Sequence, residues 1–194
     1  MMSNPKMLIL RGNSAKKPTY PNEKGDNVAY PDGALHEKAA KDYATCRGYD
    51  GDVLDVSGDP LKDGDRDKNP QTVQAVLKLR DDSSYAGIYG FSGGGYDVLH
   101  ILKQLKPNEL ERIKLVVVLG APPGKNGYPS KSDFESARFV SRTNPETKGI
   151  KWELVYMTNP PADASVLPRR GVDPHMFGPE WLLAQELKCR QASP

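Results

Sequence analysis

The stretch "GIYGFSGGGYDVLH", Gly87 to His100, places one hydroxyl between an apolar run and a cluster of glycines. Gly90-Phe91-Ser92-Gly93-Gly94 matches G-x-S-x-G, with strand-like residues before it and helix-like residues after it. A serine on such a turn can act as a nucleophile. Close packing of strand on helix would then exclude side chains two residues before and two residues after it. The plainer reading is a glycine-rich connection in which Ser92 caps a helix. A dinucleotide fingerprint fits poorly, because Ser92 stands where G-x-G-x-x-G needs its second glycine. A phosphate loop needs a closing G-K-[ST], and none follows.

A serine hydroxyl attacks efficiently only when a base takes its proton. The chain has 3 histidines. His100 falls on the helix after Ser92, roughly 12 Å along the axis and away from the site. His36 sits near the start of the first predicted helix, on the active edge, and stays a runner-up base, though a solvated helix position suits it better. His175, in "GVDPHMFGPEW", lies in a loop between the last strand and the last helix and is the expected base. Asp163 follows the last strand and is the expected orienting acid, since Ser…Asp…His is a known triad order. Asp173 stands very near His175 in sequence, and Asn159 would be a weaker partner; both stay open. The Gly93 N–H at a helix start is the expected oxyanion donor. A second donor is expected from "RGNS" after the first strand, with Asn13 preferred and Gly12 or Ser14 beside it. Turn chemistry explains Gly12-Asn13 equally well. Phe91, Tyr20, Tyr30 and Tyr128 are candidates to line an acyl or aromatic pocket, or simply to pack the loops.

These residues need a scaffold. Apolar runs at Met7–Arg11, Asp52–Val56, Tyr85–Tyr89, Ile113–Leu119 and Trp152–Met157 read as five strands. "IKLVVVLG" is apolar throughout, as a strand covered on both faces must be. A helix is expected from near Asp32 to Gly48. The next starts at Asn69-Pro70, a cap and a first helical position, with Val73, Val76 and Leu77 as its apolar stripe. Val98, Leu102 and Leu105 mark the helix after Ser92. Ser132 and Glu135 have capping-box spacing. Trp181, Ala184 and Leu187 mark the last helix. Strand and helix alternate, which predicts one doubly wound α/β domain spanning 1–194 with a parallel sheet. Two long loops, Gly12–Gly33 and Asn159–Pro174, should emerge at the carboxyl edge of the sheet, where such folds place their sites.

Composition narrows the function classes. The 194 residues allow one substantial core. The 18 glycines and 17 prolines suit shaped loops. A net charge of +2, with only Lys16-Lys17 as a basic cluster, argues against a nucleic-acid partner. No run is long enough for a membrane span, and "MMSNPKMLILRGN" lacks a secretory h-region, so a cytoplasmic location is expected. Cys46 and Cys189, both on predicted helices, are expected as free thiols. No His/Cys cluster suggests zinc. "DGDRDKN", Asp63–Asn69, has Lys68 where a calcium loop needs glycine, and reads as a solvated polar loop. Arg169 and Arg170 read as exposed loop charges, with an anionic substrate as the alternative.

Together the elbow after the third strand, the acid and the histidine resemble the α/β-hydrolase superfamily in a minimal, capless form. The segment "HMFGPEW" and the short interval from Asp163 to His175 are similar to cutinases and other small serine esterases. The resemblance covers most of the chain. It implies a three-layer αβα sandwich with strand order 2-1-3-4-5. It also implies hydrolysis of a carboxylic ester or thioester through an acyl-serine, with no cofactor and no metal. Only the backbone donor of Gly93 carries over, because cutinases usually have glutamine there. A non-catalytic binding protein built on the same cleft is the alternative.

Overall fold

The computed structural model describes residues 4–12, 19–21, 27–29, 33–56, 66–120, 129–137, 152–158 and 178–191. In chain order the elements are β1 (Lys6–Leu10), β2 (Thr19–Pro21), β3 (Asn27–Ala29), α1 (Gly33–Cys46) and β4 (Asp50–Val53). They continue with α2 (Pro70–Asp81), β5 (Tyr85–Phe91), α3 (Gly93–Gln104), α4 (Pro107–Arg112) and β6 (Leu115–Leu119). The chain then forms α5 (Lys131–Ala137), β7 (Glu153–Met157) and α6 (Gly178–Gln191). A short 3-10 turn, Arg66–Lys68, precedes α2. Five strands form one sheet in the order β4-β1-β5-β6-β7, and every pair is parallel. Counted among sheet strands alone, this is 2-1-3-4-5, the expected order.

Helices cover both faces because the strands are apolar on both. Side chains alternate across a strand. Leu8, Leu10, Ile88, Val116 and Val118 meet Val76 and Leu79 of α2, Val98 and Leu102 of α3, and Phe134 of α5. Met7, Ile9, Tyr89, Val117 and Leu119 meet Ala40, Tyr43 and Ala44 of α1 and Leu182 of α6. Central strand β6, Leu-Val-Val-Val-Leu, is buried at every position. The result is a three-layer αβα sandwich.

Several expectations need correction. Val73 and Leu77 are not the buried stripe of α2; they are 41% and 51% exposed. Gln71, Thr72, Ala75, Val76 and Leu79 face inward instead, and Gln71 on that face is held in a buried network described below. On α6, Leu187 is 42% exposed and Leu182 takes the buried position. The box at α5 uses Ser130 and Asp133: the Ser130 N–H donates to Asp133 Oδ2 (2.6 Å) and the Asp133 N–H to Ser130 Oγ (3.3 Å). Strand β4 pairs through Asp50–Val53 rather than Asp52–Val56; polar residues are tolerated on this edge strand. The Gly12–Gly33 segment is not all loop, since β2 and β3 pair antiparallel within it. Helix α3 stops before Pro107, which opens the separate α4. Gly48, past the end of α1, has φ +83°, the left-handed conformation expected of a C-terminal glycine.

The amino end of the sheet is tied by Asp82. Its carboxylate accepts from Lys6 Nζ (2.8 Å), the Ser84 N–H (2.8 Å) and Ser84 Oγ (2.6 Å). These bonds, Lys6 foremost, hold the carboxyl below its ordinary range. A carboxyl depressed in the folded state stabilises above its unfolded pKa, and the contribution is lost as pH falls. Asp82→Asn should therefore weaken the fall in Tm below about pH 4 and leave the slope near neutrality unchanged. Thermal melts across that range read the difference.

Candidate active site

Strand β5 ends at Phe91 and helix α3 begins at Gly93, so one residue makes the whole reversal. That residue is Ser92, with φ 53° and ψ −120°. Among the described residues it is the single non-glycine with positive φ. Such a conformation costs of order 1–3 kcal/mol and persists only where packing over-determines it.

The packing is visible in two glycines. A Cβ on Gly90 would lie 2.4 Å from the Gly94 carbonyl oxygen and 2.7 Å from Gly95 Cα. A Cβ on Gly94 would lie 2.5 Å from the Arg11 carbonyl oxygen and 2.9 Å from that of Leu10. The obstacles are backbone and cannot swing aside. The glycines two before and two after Ser92 therefore clear the crossing of β1, β5 and α3, as the pentapeptide predicts. Gly87 on the same strand differs, because its Cβ would meet only the Met7 side chain, at 3.1–3.3 Å. Gly90→Ala should cost about 2–3 kcal/mol by overpacking, and Gly87→Ala clearly less. Urea unfolding midpoints compare the two.

The Ser92 side chain makes no capping bond to α3, so the helix-cap reading does not account for it. Its N–H donates to the Leu119 carbonyl at the end of β6 (2.9 Å), which anchors the turn to the sheet. Gly93 is buried and is the first residue of α3. Its N–H belongs to the first turn, which lacks intrahelical acceptors and lies at the positive end of the helix dipole. From the other side β1 delivers Gly12. A Cβ there would lie 3.3 Å from Ser92 Cβ and 3.2 Å from the Phe91 carbonyl oxygen. Phe91 is half-buried, and its ring faces the start of α6: a Cβ on Gly178 would lie 3.4 Å from Phe91 Cε2 and 4.0 Å from Met157 Cε. The end of β7 and the start of α6 thus meet beside the turn.

A buried polar cluster supports this corner, and sequence reasoning missed it. Asp97, in the second turn of α3, is fully buried. Its carboxylate accepts from Gln71 Nε2 (2.8 Å), from Asn69 Nδ2 at 3.3 Å to each oxygen, and from Arg66 (3.3 Å). Asn69 also caps α2 as expected, its Oδ1 accepting from the Gln71 N–H (3.1 Å). Burial raises the Asp97 carboxyl above its ordinary range, while Gln71 and Arg66 pull it back. The expectation that Asp63–Asn69 is a solvated polar loop fails for Arg66 and Asn69, which are buried because they serve Asp97. Asp63 lies outside the described residues. One signal was available: Asp97 is the lone carboxylate of α3, set between Tyr96 and the apolar Val98 and Leu99.

His100 binds Asp67 through Nδ1 (2.7 Å) and stacks on Tyr96 with ring centroids 5.4 Å apart. It is committed away from Ser92, as its place on the helix implied. His175, Asp163, Asn13, Tyr30 and Tyr128 lie outside the described residues, as do Asp173, Asn159, Ser14, Arg169 and Arg170. Tyr20 in β2 and His36 in α1 are described by backbone alone. Among the described residues no cluster of His, Cys, Asp and Glu could hold a metal ion, and no helix is long and apolar enough to cross a membrane. No protein-family model matches the chain, and no curated protein matches it either.

Proposed function

We propose that this chain is a serine hydrolase of the α/β-hydrolase kind, cleaving a carboxylic ester or thioester. Ser92 Oγ attacks the acyl carbon while His175 takes its proton. The tetrahedral oxyanion accepts from the Gly93 N–H and from a donor after β1, in the Gly12-Asn13 region. Collapse expels the alcohol or thiol, which takes the proton back from His175 and leaves an acyl-serine. Water, deprotonated by His175, then releases the acid and restores Ser92. Asp163 orients the imidazole and holds its tautomer. Phe91 borders the acyl group, with Tyr20, Tyr30 and Tyr128 as further lining.

The observation that carries the reading is the backbone of Ser92: a strained, positive-φ serine between two sterically required glycines at a helix start. A merely structural turn would relieve that strain with glycine. The topology is compatible as well. Asp163 follows β7 and His175 precedes α6, and the described ends of those elements converge at Phe91 beside Ser92. The free thiol of Cys46 suits a reducing, cytoplasmic compartment. The test is initial-rate hydrolysis of nitrophenyl acetate and butyrate by the full chain, expected to saturate with substrate. A rate no faster than buffer contradicts the reading, and is what a non-catalytic binding protein would give.

A further inference from the structure

The buried cluster around Asp97 ends on the backbone of Arg11. The Arg11 N–H donates to Gln71 Oε1 (3.1 Å), and Gln71 Nε2 donates to the Arg11 carbonyl (3.1 Å). One side-chain amide therefore grips both polar groups of one residue, as a neighbouring strand would. Arg11 follows β1, where the sheet can no longer hold the chain. The same Gln71 Nε2 is held by Asp97 (2.8 Å), and Asp97 belongs to α3, the helix that Ser92 opens. On its other side the Arg11 carbonyl is pressed against Gly94. The next residue, Gly12, rests on Ser92. Arg11 is thus fixed on one side by α3 backbone and on the other by a side chain that is itself anchored to α3.

The geometry points to Gln71 as a positioning residue: anchored by Asp97, it clamps the Arg11 peptide groups so that Gly12, which rests on Ser92, is held beside it as an oxyanion donor. This inference rests on the hydrolase reading for its catalytic consequence but not for the clamp itself. Gln71, Asn69 and Asp97 are each fully buried, so the anchor of the clamp is shielded from water. Its polar groups satisfy one another, a condition under which a buried network specifies a single geometry. Transition-state stabilisation depends on donors fixed before the reaction, and small displacements cost large factors. Gln71 touches no reacting atom; it acts through Arg11.

The test uses Gln71→Met, which keeps the volume and removes both bonds to Arg11, in the full chain. For nitrophenyl acetate, kcat should fall about tenfold to a hundredfold with KM within about threefold of wild type. Amide exchange followed by NMR should show the Arg11 N–H about a hundredfold faster than in wild type, with the Leu8 and Ile9 amides as slow as before. A folded Gln71→Met chain with wild-type kcat overturns the positioning role. An Arg11 amide as protected in the variant as in wild type overturns the clamp. Should the variant fail to fold, the wild-type chain decides, because a fast-exchanging Arg11 amide there also overturns the clamp. A wild-type chain without esterase activity overturns the hydrolase reading and with it the catalytic consequence. The exchange measurement then reports on the clamp separately, so the two failures are distinguishable.

Discussion

Ser92→Ala should lower kcat/KM for a nitrophenyl ester by about 10⁴-fold or more. The loss should appear in kcat, because no other hydroxyl can take the place of one held on this turn. Stability adds a second readout. Alanine inherits the positive φ of 53° and keeps the strain, whereas glycine relieves it. Ser92→Gly should therefore be as inactive as Ser92→Ala but about 1 kcal/mol more stable than it. Two equally inactive variants would then differ in stability, as expected where the strain belongs to the backbone of the turn and the activity to the hydroxyl. Urea titrations of the two variants, read beside their initial rates, check both parts. A Ser92→Ala chain that retains a tenth of the wild-type rate would remove Ser92 from the mechanism.

Asp97→Ala should be strongly destabilising, at about 3–5 kcal/mol. The fully buried carboxylate receives Arg66, Asn69 and Gln71. Its removal leaves the buried Arg66 guanidinium without this counter-charge and takes an acceptor from the Asn69 and Gln71 amides. For a chain of this size that corresponds to a fall in Tm of roughly 6–20 °C. The reason is the stranded partners rather than a large net worth of the pair, since burying ions is itself costly. Adding Arg66→Met to Asp97→Ala should accordingly recover part of the loss. A double variant less stable than Asp97→Ala alone would contradict this electrostatic account and assign the effect to packing. Differential scanning calorimetry of the three chains decides.

The architecture was legible because its signals are physical and local. Apolar β6 can only be a strand buried on both faces, and the alternation of strands with helices leaves few topologies. Ser92 was legible because the glycines two before and two after it mark a steric requirement, which the Gly90 and Gly94 contacts satisfy. Asn69 and Gly48 announced themselves by capping chemistry. What the pattern concealed has one common cause. Arg66, Asn69, Gln71 and Asp97 are polar, and hydropathy places polar residues in water. Their burial depends on partners distant in sequence, from the 3-10 turn, α2 and α3, which no periodicity encodes. The same cluster misplaced the apolar stripe of α2, because it draws Gln71 to the inward face, and Val73 and Leu77 are left exposed. The hairpin β2–β3 escaped for another reason: its strands are short and lack alternation. The chain order of Asp163 and His175 was readable, but their distance from Ser92 is a tertiary property that no local rule determines, and both lie outside the described residues.

The account turns on Ser92 Oγ being an activated nucleophile. Treatment of the full chain with a fluorophosphonate, followed by proteolysis and mass spectrometry of the peptides, tests this most directly. One phosphonyl adduct should form, on Ser92, and none on Ser92→Ala. Wild-type chain that remains unlabelled, or that carries the adduct on another residue, would contradict the account.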